Sequence, residues 1–226
     1  MASDKALSRD RIVDTAIAML DAAGESGLTF RALSARLKTG PGAIYWHVAN
    51  KGELLAAATD TVVTRAMAAD PAAATPPDEI RAIALGVFDA FDAHPWIGDQ
   101  LSQLSAQPTT LRVFESLGRR VQSLGVPPED QFNAASALLN YILGVAAQNA
   151  ALARSVARGT DRTEVLAAVD ALFAGVETGD FPFLRSVATQ LRTHDDRDQF
   201  LAGINLILAG IVSLNEGTSR RSPAVS

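Results

Sequence analysis

The sequence predicts an all-α protein, with a small N-terminal unit of three helices followed by a larger helical body. Hydrophobic residues make up 48% of the 226 residues but aromatics only 6%, so the apolar mass is mostly Ala, Leu, Val and Ile. Ala and Leu are strong helix formers. Apolar residues recur three and four apart, and no useful stretch alternates with period two. Helix starts carry capping residues, and Pro or Gly punctuates the segments between them.

Taken in order, the first helix runs from Ser8, its N-cap, to Ala23, with Gly24 ending it and Val13, Ile17 and Leu20 on one face. A second, short helix starts near Thr29 and points Phe30, Leu33 and Leu37 one way. After Lys38-Thr39-Gly40, Pro41 opens a third segment that reaches His47, with Ile44 and Val48 inward. Asn50 followed by Glu53 resembles a capping box, so a fourth helix runs from there to about Ala69. The Pro/Ala-rich stretch from Asp70 to Asp78 reads as a break before the body. Helices are then expected at 78–93, 96–105, 109–124, 129–157, 162–175 and 195–215, with breaks at His94-Pro95, Pro108, Pro127-Pro128, Gly159 and Gly179–Pro182. The domains are drawn as 1–53, 54–216 and a disordered tail at 217–226.

Several classes of function fall away. The chain has no cysteine, hence no disulfide, thiolate metal site or cysteine nucleophile. The start, MASDKALSRDR, has no apolar core of a signal peptide. Two uncharged stretches, Phe132–Ala153 and Gln199–Asn215, raise the question of a membrane. The first carries Asn133, Asn140, Gln148 and Asn149, and the second is short for a span of roughly 20 residues. Buried helices of a bundle or dimer core account for both, so no membrane is expected. There is no GxSxG, HExxH, P-loop or GxGxxG, so no enzyme and no cofactor is expected. His94 and His194 read as helix-boundary residues, no two histidines stand four apart, and no metal site is expected.

The charge is distributed unevenly. Net charge is −5, yet residues 1–51 hold seven Lys/Arg against five Asp/Glu, and the remainder thirteen against twenty. A DNA reader on an acidic body would have this pattern. Residues 28–55, LTFRALSARLKTGPGAIYWHVANKGELL, give two short helices joined by a tight turn, the supersecondary unit that enters the major groove. Thr39 is expected to cap the second of them and to offer a hydroxyl to phosphate, beside the free N–H groups of the helix start. Tyr45 and His47 lie away from Ile44 and Val48 and should be exposed; phosphate and sugar contacts account for them. Lys51 sits in the first turn of the next helix, against its dipole, where a phosphate partner would account for it.

The run Ile44-Tyr45-Trp46-His47-Val48-Ala49-Asn50-Lys51-Gly52-Glu53-Leu54-Leu55 resembles the signature of the TetR family, and Leu28-Thr29, Arg31-Ala32-Leu33 and Leu37 match the helix before it. His94-Pro95-Trp96, Gly179–Leu184 and Gln199–Gly210 are similar to segments of the tetracycline-repressor-like ligand domain. The resemblance covers most of residues 8–215 and implies a helix-turn-helix DNA-binding domain joined to a helical ligand-binding and dimerisation domain. It implies DNA contacts at Arg31, Lys38, Thr39, Gly40, Pro41, Gly42, Ala43, Tyr45, Trp46, His47 and Lys51, with Trp46 partly structural. Gly40, Gly42 and Ala43 depart from the more polar residues of tetracycline repressors and make no bidentate base contact. Readout then leans on Arg31, Lys38, Thr39 and Pro41 or on DNA shape. The implied partners are double-stranded operator DNA, an unidentified small-molecule inducer and a second copy of the chain, in the bacterial cytoplasm. An activator, a repressor without inducer, and a helical binding protein without DNA activity are the alternatives.

Two readings of the body stay open. Phe88, Phe91, Trp96, Leu101, Leu104, Phe114, Leu117, Leu138 and Tyr141 are helix-spaced, either plain core or the lining of a ligand cavity. Asn140, Gln148 and Asn149 serve that cavity or bond across a dimer. A small-residue side at Ala137, Gly144, Ala147 and Ala151, and the stripe Phe200, Ile204, Ile207, Ile211 and Leu214 with Gly203 and Gly210 nearby, would form a four-helix interface with Asn140 and Gln148.

Overall fold

A computed structural model describes residues 7–68, 75–100, 108–157 and 181–219. Helix α1 (Arg9–Gly27) starts where the Ser8 hydroxyl accepts the Arg11 N–H at 3.2 Å. It does not stop at Gly24 as expected. Gly24 takes φ 62° and ψ −169°, a conformation that favours glycine, and the chain resumes one further turn. Helices α2 (Phe30–Leu37) and α3 (Pro41–Tyr45) complete the N-terminal unit. Its core is Ile12, Ala16, Leu20, Leu28, Leu33, Ile44 and Val48, each at most 1% exposed. Full burial of one such aliphatic side chain contributes about 1.5–3 kcal/mol.

Helix α4 (Lys51–Met67) packs on α1, with ion pairs Arg9–Glu53 near its start and Asp14–Arg65 near its end, and on the body helices. The body comprises α5 (Pro76–Ala93), α6 (Ile97–Gln100), α7 (Pro108–Ser123), α8 (Pro128–Ala157), α9 (Pro182–Thr193) and α10 (Asp196–Ser219). The α5 helix touches α4, α7, α8 and α10 and is the centre of the core. Gly86 lets α5 close on α4, because a Cβ there would collide with the Ala66 carbonyl. Phe200 of α10 stacks on Phe88 of α5 at 4.8 Å and on Tyr141 of α8 at 5.6 Å, and the Tyr141 hydroxyl donates to the Phe200 carbonyl at 3.3 Å. Thr59 of α4 is fully buried, and its hydroxyl has no hydrogen-bond partner among the described residues.

The expected helix at 162–175 lies outside the described residues. Helix α9 was not expected: Pro182 read as part of a break, whereas it stands at the start of the helix, where its missing N–H costs nothing. Helix α10 continues to Ser219, three residues into the segment expected to be a tail.

The stripe chosen on α10 for pairing is corrected. Phe200, Ile204 and Ile211 are buried inside the chain and Ile207 is half-buried against the same core. Leu214 and Gly210, also expected there, are exposed, and the outward side of α10 further carries Ala202, Leu206 and Ala209, with Leu206 77% exposed. Both stripes are uncharged, so periodicity alone did not tell inner from outer. On α8 the expected residues Ala137, Asn140, Gly144 and Gln148 are exposed; the side chain of Ala151 lies outside the description. Among the described residues one stretch, Asp196–Leu214, is long and apolar enough to cross a membrane, and 22% of it is buried within the chain.

Candidate nucleic-acid interface

Every part of the reading unit has a local cause. Thr29 caps α2, its hydroxyl accepting the Ala32 N–H at 3.1 Å. The helix stops because Lys38 adopts a left-handed conformation, φ 54° and ψ 47°, which sends the Lys38 and Thr39 N–H groups back to Ala35 and Ser34 at 3.2 and 3.0 Å. Gly40 then stands before Pro41, the first residue of α3, without any side-chain cap. Thr39 therefore does not cap this helix: it stands one residue too early, and Gly40 takes the capping position. Ile44, fully buried, pins α3 to α2.

What remains outside is the rest of α3 and its flanks. Arg31, Lys38, Gly40, Pro41, Gly42, Tyr45 and Trp46 are exposed; Thr39, Ala43, His47 and Lys51 are half-buried. Tyr45 leans edge-on against Phe30, ring centres 4.7 Å apart, and still exposes 53% of itself. Trp46 is 90% exposed, which corrects its expected structural share: it follows Ile44 by two residues, over half a turn round, and points off the domain. A Cβ added at Gly40 or Gly42 would meet nothing, and neither glycine has a positive φ. No packing or backbone requirement within the chain demands glycine at either position.

Lys51 has a partner within the chain. Its ammonium donates to the Glu25 carbonyl at 2.7 Å and lies 3.5 Å from the Glu25 carboxylate. Both lie beyond the Gly24 kink, so no phosphate is needed to account for this cation. Asn50 caps α4 by accepting the Glu53 N–H at 2.9 Å, and the Glu53 carboxylate accepts the Ala49 N–H at 2.8 Å and a bond from Arg9 at 3.2 Å. The Ala49 N–H, followed by Arg9, holds the Glu53 carboxyl below the usual glutamate range.

Sequence reading missed the junction between this unit and the body. One carboxylate oxygen of Asp21, in α1, lies 2.7 Å from the Trp96 indole nitrogen and 2.7 Å from His94 Nδ1. Gln100 reaches the Glu25 carboxylate at 3.5 Å. Asp21 and Trp96 stand 75 residues apart, and no local pattern links them. Beside this junction is a groove of about 450 Å³ lined by Ile17, Val62, Arg65, Ala66, Gly86, Asp89, Ala90 and His94.

Of the residues expected around a ligand, Phe88, Phe91, Trp96, Leu117 and Leu138 are buried, and Phe114 and Tyr141 half-buried. Leu101 and Leu104 lie outside the described residues. His194 sits 3.1 Å from Asp196, and among the described residues no group of three His, Asp or Glu could hold a metal ion.

The chain is similar to known proteins over both parts. Residues 12–58 match the bacterial regulatory proteins of the tetR family, and residues 72–214 match the tetracyclin repressor-like C-terminal domain. The transcriptional regulator SCO7222, a TetR from Streptomyces coelicolor, has 54% identity and a TM-score of 0.80, over 92% of this chain and 99% of that one. ActR of Streptomyces coelicolor in complex with actinorhodin has 25% identity and a TM-score of 0.72, over 92% and 97%. The transcriptional repressor DrrR1 of Streptomyces coeruleorubidus is 27% identical over 91% of this chain and 77% of its own length. A helix-turn-helix transcriptional regulator of Saccharopolyspora erythraea is 29% identical, and the match spans 61% of this chain and 59% of that protein. With an exposed recognition helix on an all-helical body and both family domains matched, the chain belongs to the TetR family of DNA-binding transcriptional regulators.

Proposed function

We propose that this regulator is a homodimeric repressor that holds a two-fold operator and releases it when a small molecule occupies the body. The observation that carries the reading is the α3 surface. The five-residue helix is held to α2 by Ile44 and turns its other side outward, with Gly42 and the preceding Gly40 facing open space and Tyr45 and Trp46 exposed beside them. Bare backbone at Gly40 and Gly42 lets α3 approach a phosphate or base edge closely, although Pro41 has no N–H and the Ala43 N–H is taken by the Gly40 carbonyl at 3.1 Å. Flanking aromatics and Arg31 and Lys38 supply sugar and phosphate contacts.

Two further features support the finer parts. The uncharged outer faces of α8 and α10 suit a second copy of the chain, two helices from each subunit. The buried, unpaired Thr59 hydroxyl is a polar anchor that a ligand in the body would satisfy. The similar protein ActR forms a complex with actinorhodin, which supports a body built to take a small molecule.

The test is selection of duplexes from a random-sequence pool, followed by anisotropy with the winning duplex. Wild type should bind it specifically and with steep salt dependence. Gly42→Leu should fold at least as stably, since helix-interior glycine costs about 0.5–1 kcal/mol relative to alanine, and should lose the duplex. Full affinity in Gly42→Leu, or no sequence enriched by wild type, defeats the reading.

A further inference from the structure

We infer that Asp21 is a positioning residue, an acceptor in α1 through which the corner between α5 and α6 holds the DNA-reading unit at a fixed angle. This rests on the repressor reading for its consequence but on geometry for its existence. The reading unit is joined covalently to the body through α4 alone, and α4 packs on both. The Arg65–Asp14 and Arg9–Glu53 ion pairs tie α1 to α4, and a direct bond from α1 to the body adds to that hold. Asp21 provides it, on the last turn of α1 before the Gly24 kink.

Both donors sit at one corner of the body. His94 ends α5 in a non-helical conformation, φ −130° and ψ 68°, and Trp96 lies just before α6. The Trp96 ring is 6% exposed, so its N–H has little access to water, and Asp21 is the acceptor the structure gives it at 2.7 Å. An indole N–H left unpaired there would carry a desolvation penalty, so the docked state is favoured over any rotation that parts the pair. The His94 ring adds a second bond to the same oxygen, 2.7 Å away, and meets Trp96 edge-on at 6.0 Å. Beyond the kink, Gln100 of α6 and Lys51 of α4 both reach Glu25, four residues after Asp21. The corner between α5 and α6 thus grips the end of α1 at two successive turns. Any displacement of that corner separates donors from acceptor and frees the reading unit to turn. A ligand that moves α5 or α6 acts on DNA through these bonds.

The test uses the absence of native cysteine. Ala35→Cys on α2 and Leu111→Cys on α7, both at exposed positions, are spin-labelled in the full chain and diluted with unlabelled chain. Only distances within one chain then contribute. Into this background go Asp21→Ala, Trp96→Phe (which keeps the ring and removes the N–H), and Asp21→Asn, which keeps an acceptor oxygen. Arg197→Ala, which breaks an ion pair with Asp89 inside the body, is the control for general destabilisation. Loss of a hydrogen bond to a charged group should raise the undocked population about tenfold. Asp21→Ala and Trp96→Phe should therefore add a second distance component, Asp21→Asn a smaller one, and Arg197→Ala none. One unchanged narrow distribution in both Asp21→Ala and Trp96→Phe, or equal broadening by Arg197→Ala, overturns the inference. This readout needs neither DNA nor pairing. A wild type that binds no duplex would sink the repressor reading and leave the distance test to judge Asp21 by itself.

Discussion

Lys38 is the one non-glycine residue with positive φ among the described residues, at the turn between the two DNA-reading helices. A left-handed conformation costs a side chain with a Cβ roughly 1–2 kcal/mol, and under the proposed reading Lys38 offsets that cost with a phosphate contact. Lys38→Gly should raise the melting temperature, by no more than that strain allows once glycine's extra chain entropy is counted. The same variant should bind operator more weakly, with the slope of log affinity against log salt reduced by about one. Calorimetry and salt-series anisotropy read the two effects, which have opposite signs. Glu53 gives a pH prediction. Its carboxyl is held below the ordinary glutamate range when folded, by the Ala49 N–H first and Arg9 second. Its stabilisation is therefore complete above the unfolded-state value and is lost as pH falls through the lowered folded-state value. Melts across the acid range should show a decline that Glu53→Gln flattens. At this scale the sequence is legible where a motif is local: Asn50 caps α4 as read, although the return bond of the box goes to the Ala49 N–H and not to that of Asn50. Lys51 is not legible, because its partner Glu25 stands 26 residues away, beyond a kink that only Gly24 hinted at.

At the scale of elements, α1 to α4 were legible because each start has its own cap or proline and each break its own glycine or left-handed residue. Where a helix has two apolar sides, the reading failed. In α10 the stripe Phe200, Ile204, Ile211 and the stripe containing Leu206 are both uncharged, and aromatic stacking of Phe200 with Phe88 and Tyr141 decides which one turns inward. That stacking joins helices remote in sequence, so no window along α10 contains it. The outer stripe has its own consequence. Leu206→Glu puts a charge on a 77% exposed position, which leaves the fold of the single chain intact. If α10 pairs with its copy, sedimentation should show dimer giving way to monomer at unchanged helix content; a dimer that persists would move the interface elsewhere.

On the scale of the whole molecule, the two parts of the chain are a reader whose contacts are mostly local and a body whose contacts are not. The reader's caps and turns are therefore legible in the sequence, and the long-range packing of the body is not. Phe88, Leu117 and Leu138 are as buried as core residues should be, and Trp96, expected beside a ligand, ties the body to α1 instead. The central claim is that two recognition helices act together at a fixed spacing. Adjacent major grooves on one face of B-DNA lie about 34–36 Å apart, one helical turn. The most direct measurement is the affinity and stoichiometry of the full chain on its selected duplex, compared with the same duplex carrying about half a helical turn inserted between the half-sites. Two chains per duplex, with binding abolished by the insertion, is the predicted result. One chain per duplex, or equal affinity for both duplexes, would contradict it.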